Sequence, residues 1–158
     1  MTGTFFLDSS ALIKLYHQEP GTERVEEIFA TADATLVISE LATVELRSAL
    51  ARKVRTGEIT VQAEEEVVRN FDQDCADRFM SEPLTSAVVH QAKELLKKHG
   101  HQRALRSLDA IQLATFAIVR AREEVVFVCA DGRLCGIVEA EGHSALNPEE
   151  KWSEHADE

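Results

Sequence analysis

TFFLDSSALIKLY, from Thr4 to Tyr16, is the stretch on which the reading of this chain turns. Thr4 to Leu7 reads as a short buried strand, and Asp8 ends it. Ser9 and Ser10 follow, and then Ala11, Leu12, Ile13 and Leu15, an apolar run suited to a helix start. Open α/β sheets bind ligands just beyond the carboxyl ends of their strands, so an acid at that point is placed for chemistry. An aspartate there can also do no more than cap the helix. Ser9 and Ser10 are able to cap by themselves, which leaves Asp8 surplus to that task.

Working outward, Gln18-Glu19-Pro20-Gly21 breaks the first helix, and Thr22 opens a second that runs to about Ala32. Thr35 to Ile38 is a second buried strand, Ser39 caps a helix from Glu40 to about Arg55, and Gly57 ends it. Thr60 opens another helix, expected to reach about Met80, with Val67, Val68, Phe71, Cys75 and Phe79 at helical spacing. Pro83 to Thr85 is at most a short edge strand. Ser86 to Lys98 is an amphipathic helix, and Ser107 to about Arg122 is a helix apolar on most of its circumference. Val125 to Cys129 is the clearest strand. Asp131 follows it, then a helix from Leu134 to Ala140 and a last strand at Ser144 to Leu146. Strands alternating with helices predict an α/β fold of three layers, α/β/α, around a mostly parallel sheet.

The whole chain agrees with one domain. It has 158 residues, 44% of them hydrophobic and 28% charged, enough to bury a core without staples. We place the domain at 1–147 and expect 148–158 to be an acidic, flexible tail, with Trp152 docked back. No apolar run spans a bilayer, and MTGTFFLD lacks the basic leader of a signal peptide. Three cysteines without a CxxC pair fit a reducing cytoplasm. A net charge of −11 argues against nucleic-acid binding by broad phosphate neutralisation. It does not exclude an enzyme that recruits divalent cations to meet the phosphates.

Four acids stand where acids are costly. Glu45 lies within ~40° of Leu41 and Ala49 around its helix, on the face expected to be buried. A carboxylate there costs several kcal/mol unless it is paired, hydrogen-bonded or metal-bound. Arg47 and Arg52 are the nearest ion-pair candidates, but neither has the favoured spacing. Asp109 shares a helix face with Leu105, Leu113 and Phe116, with Arg106 three residues before it; it can also simply complement the helix dipole. Asp131 repeats the Asp8 pattern, and an Asp-Gly turn or cap is its plain alternative. Four carboxylates converging on one sheet edge cannot all stay ionised without cations. Mg²⁺ or Mn²⁺ resolves this, because hard ions take oxygen ligands and suit phosphodiester hydrolysis.

LDSSALIKLY, SELATVELRSAL around Glu45, LRSLDAIQLAT around Asp109 and FVCADGRL around Asp131 resemble the successive acidic motifs of PIN-domain nucleases. Within these, the chain is most similar to VapC-type toxins of bacterial toxin–antitoxin pairs. The resemblance runs from about Phe5 to Asn147, with the four motifs in family order. It implies a five-stranded parallel sheet flanked by helices and a Mg²⁺- or Mn²⁺-dependent endoribonuclease. Asp8, Glu45, Asp109 and Asp131 then carry over as catalytic metal ligands, with Ser9 in support. It also implies an RNA substrate, a homodimer, and a small antitoxin that packs along the toxin and blocks its site. Gln112 departs from the family pattern, which often has His there.

Other candidates are less specific. Lys97, Lys98, His99, His101, Arg103 and Arg106 form a basic cluster leading into Asp109, and Arg103 and Arg106 are candidate RNA phosphate contacts. A solvated helix end explains the same cluster equally well, and Arg47, Arg52, Lys53 and Arg55 stand the same way. No histidine or cysteine spacing fits zinc, and no Gly-rich loop fits a nucleotide phosphate. Two alternatives remain beside the nuclease: a non-catalytic binding module of the same fold, and an Asp-dependent phosphatase or phospho-acceptor. The latter lacks the second acid of a DxD pair, since Ser10 stands there.

Overall fold

A computed structural model of the chain describes residues 2–151. β1 (Gly3–Leu7) leads into a one-turn helix, α1 (Ser9–Leu12), which tightens into a 3-10 turn over Ile13–Leu15. There follow α2 (Thr22–Ala30), β2 (Ala34–Ser39), α3 (Glu40–Arg55), α4 (Val61–Asp77), β3 (Phe79–Glu82) and α5 (Ser86–His99). The chain continues through α6 (Ser107–Arg120), β4 (Val125–Val128), α7 (Gly132–Ala140) and β5 (Ser144–Leu146). The five strands form one sheet in the order β3-β2-β1-β4-β5, and every pairing is parallel.

Alternation along the strands divides the core in two. Phe6, Val37 and Phe127 face α5, α6 and α7, whereas Phe5, Leu7, Leu36 and Ile38 face α1 to α4. Phe6 stacks on Phe127 at 5.7 Å between ring centroids and meets Phe116 edge-on at 5.9 Å. Aromatic pairs in these geometries add to simple burial. Both faces are therefore covered, as a parallel sheet requires.

β1 is the central strand. From it the chain crosses to β2 on one side and later returns to β4 on the other, in register Leu7↔Val128. The strand order thus reverses between β1 and β4, the kind of point where α/β sheets open a crevice. Asp8 follows β1 at that point, and its N–H donates to the Val128 carbonyl at 3.1 Å.

The helix expected to reach Met80 stops at Asp77, and the edge strand is Phe79–Glu82, not Pro83 to Thr85. Arg78 causes the break: its guanidinium donates to the carbonyls of Phe29, Thr31 and Ala34. That pulls the chain out of the helix and sets Phe79 against Leu36 in the sheet.

The segment expected to hang free from 148 is packed at its start. Glu149 Oε1 accepts from the buried Lys14 Nζ at 2.7 Å, and Pro148 lies against Gly21. A Cβ there would come within 2.8 Å of the Pro148 carbonyl, and Gly21 has φ +86°, so glycine is required on both counts. Trp152 and the residues after it lie outside the described residues. Among the described residues no helix is long and apolar enough to cross a membrane.

Candidate functional site

Asp8 caps α1 itself. Its carboxylate accepts from Ala11 N–H at 3.0 Å and from the Ser10 hydroxyl at 2.6 Å, so the expectation that a serine would cap is corrected. Ser10 also accepts from Ala130 N–H at 2.9 Å, which ties the end of β1 to the loop after β4. The Asp8 side chain is 5% exposed. Burial, with the charge of Asp109 adding to it, pushes the carboxyl up to about 6 despite hydrogen bonds from Ser10, Cys129 and Ala11. The position thus combines a cap with an acid poorly solvated in its charged form.

Glu45 comes from α3, whose start is fixed by Ser39 accepting from Ala42 N–H at 3.1 Å. Its Oε1 accepts from Ser9 Oγ at 2.7 Å and from Gln112 Nε2 at 2.8 Å, and Gln112 also donates to Ser9 at 2.9 Å. Neither arginine considered for Glu45 pairs with it, and Arg47 reaches Asp72 instead. Ser9 is therefore a partner of Glu45, bridging the first and second acidic motifs.

Asp109, in the first turn of α6, and Asp131, the cap of α7, share one arginine. Arg133 Nη2 lies 3.4 Å from Asp109 Oδ2 and 3.5 Å from Asp131 Oδ2, and it also donates to the Ala104 carbonyl. Asp131 Oδ1 meanwhile accepts from Arg133 N–H at 2.9 Å. Arg106 approaches Asp109 at 3.7 Å. Glu45, Asp109 and Arg106 line a common cavity of ≈ 390 Å³.

All four acids thus lie along one edge of the sheet, but they do not close on a single point. Among the described residues no three His, Cys, Asp or Glu side chains are close enough to hold one ion. Carboxylates facing one another repel, and here Ser9, Gln112 and Arg133 supply the donors between them. The donor set still fits a hard divalent cation, being carboxylate oxygen throughout. Gln112 Oε1 is buried without a hydrogen-bond partner beside Glu45.

Two members of the basic cluster are engaged away from the acids. Lys98 pairs with Glu141 at 2.9 Å, and His99 is buried against the same carboxylate at 2.5 Å, a clamp between α5 and the end of α7. Arg106 borders the cavity beside Glu45, whereas Arg103 does not. Sequence reasoning missed Arg133, two residues after Asp131, and noticed Gln112 only as a departure.

A profile of the PIN domain matches residues 5–137. The chain belongs to the PIN-domain family. Solved structures similar in fold to this PIN domain include VapC20 of Mycobacterium tuberculosis, a toxin that cleaves the sarcin-ricin loop. It has 18% identity and a TM-score of 0.67 over 91% of this chain and 99% of that one. A toxin–antitoxin complex from Klebsiella pneumoniae has 14% identity and a TM-score of 0.62 over 90% and 96%. VapBC2 from Rickettsia felis, bound to a promoter DNA fragment, has 14% identity and a TM-score of 0.63 over 91% and 98%. No curated protein sequence matches the chain.

Proposed function

We propose that this PIN domain is a Mg²⁺- or Mn²⁺-dependent endoribonuclease, the cytoplasmic toxin of a toxin–antitoxin pair. The observation that carries the reading is the row of Asp8, Glu45, Asp109 and Asp131 along the carboxyl edge of the sheet, with Asp8 buried at the reversal of strand order. Those four carboxylates are the ligands we assign to the cation, whose charge would offset the mutual repulsion that keeps them apart. A bound divalent ion supplies Lewis acidity and a more acidic water for phosphodiester hydrolysis.

The chain's own residues do the positioning. Ser9 and Gln112 orient Glu45 through two hydrogen bonds to Oε1, which fixes the direction of its oxygens. Arg106, largely exposed beside Asp109, is placed to hold an RNA phosphate next to the acids. Resemblance to VapC toxins supports a homodimer and a small antitoxin partner, and the similar Klebsiella pneumoniae structure is itself a toxin–antitoxin complex.

The phosphatase alternative fares worse, because Ser10 stands where a DxD pair would need its second acid. The test is cleavage of RNA with Mg²⁺ or Mn²⁺, abolished by EDTA and in Asp8→Ala and Asp109→Asn. Cleavage that survives both changes rejects the assignment.

A further inference from the structure

A groove of ≈ 800 Å³ adjoining Glu45 runs between α3 and the start of α6. Glu45 lies in it, Arg52, Arg55 and Arg106 line its walls, and Val44 and Leu108 give it an apolar surface. Three arginines against one carboxylate is a local reversal of sign in a chain of net charge −11. Lys53, on the same last turn of α3, pairs with Glu19 and Glu58, and Arg47 pairs with Asp72. Arg52 and Arg55 have no carboxylate partner among the described residues. Complementing the helix dipole explains cations at this end, but not why these two line a groove that runs to Glu45.

We propose that this groove is the path of a single RNA strand toward the acids, with Arg52 and Arg55 holding its phosphates; the inference rests on the nuclease reading above. Arg52 is seven residues from Glu45, hence on nearly the same helix face, and ~10 Å along the axis, with Arg55 at ~15 Å. Val44 is 63% and Leu108 51% exposed, so apolar surface lies beside the phosphate track. Unpaired bases can lie against such surface, whereas a duplex keeps its bases stacked inside. The groove therefore favours single-stranded RNA.

The test is fluorescence anisotropy with a labelled 12-nucleotide single-stranded RNA in EDTA, over a salt series, using the full chain. Arg52→Ala/Arg55→Ala should weaken binding about ten-fold and reduce the magnitude of the salt slope by ~1.4, roughly 0.7 per lost phosphate contact. Arg52→Lys/Arg55→Lys should restore most of the slope. Arg69→Ala/Arg122→Ala, at exposed positions on α4 and just after α6, removes the same charge away from the groove and should bind like the parent, and thermal melts confirm folding of each variant. Parental binding by Arg52→Ala/Arg55→Ala, or equal weakening by the control pair, overturns the groove even where the parent cuts RNA. A parent that neither binds nor cuts RNA overturns the nuclease reading and the groove with it. If the groove pair alters self-association or capture of a protein partner with RNA binding intact, the groove belongs to that partner and the proposal fails.

Discussion

Gln112 Nε2 donates to Glu45 Oε1 across 67 positions of sequence, at 2.8 Å. The contact joins α6 to α3 and makes the amide an internal stand-in for part of what a cation would give the carboxylate. Only the donor end of Gln112 is used, since its Oε1 is buried without a partner. Replacing Gln112 by Leu removes both donors while keeping the bulk. We expect a loss of about 1–2 kcal/mol in urea denaturation, with Gln112→His costing less because an imidazole N–H can still donate. Unchanged stability in Gln112→Leu would mean that water replaces the amide.

Asp8 gives a pH signature. Its carboxyl is raised from 3.8 to about 6 by burial, so the folded state holds the Asp8 proton more tightly than the unfolded state does. Stability from this residue is therefore full below pH ~4, falls as pH rises toward 6, and stays reduced above it, by about 3 kcal/mol in total. Asp8→Asn should raise the melting temperature at pH 8 in EDTA and leave it close to the parent's at pH 4. Equal effects at the two pH values would place the Asp8 carboxylate in contact with solvent.

Arg133 competes for two of the acids. Because its guanidinium lies between Asp109 and Asp131, Arg133→Ala should tighten Mn²⁺ binding several-fold in calorimetry, about 1 kcal/mol being the scale of a partly exposed ion pair. Weaker binding would show that the arginine holds these carboxylates in place for the ion.

Phe6 tests the centre of the fold. It is fully buried between Phe116 and Phe127, so Phe6→Ala should cost about 3–5 kcal/mol by chemical denaturation. A loss below 1 kcal/mol would mean that the ring is not packed as described.

The strands β1, β2 and β4 were legible because each is an unbroken apolar run buried on both faces, and Ser39 and Thr60 announced their helices by capping them. β3 was not legible. Phe79 continues the helical spacing of Phe71 and Cys75, and only the tertiary bonds of Arg78 end α4 before it. At the site, acids at strand ends could be read from local pattern alone. Arg133 and Gln112 could not, because their roles depend on β1, α3, α6 and α7 meeting at one edge. The assignment of the cap to Asp8 over its serines was likewise decided by geometry, with Ser9 turned to Glu45 and Ser10 to Asp8.

Calorimetric titration of the chain with Mn²⁺ at pH 7.5 tests the central claim, that these carboxylates form one cation site. The parent should bind with measurable heat, while Asp8→Asn and Glu45→Gln, folded by their melting curves, should each lose at least about ten-fold in affinity. Parental binding in both variants, or no binding by the parent, would contradict it.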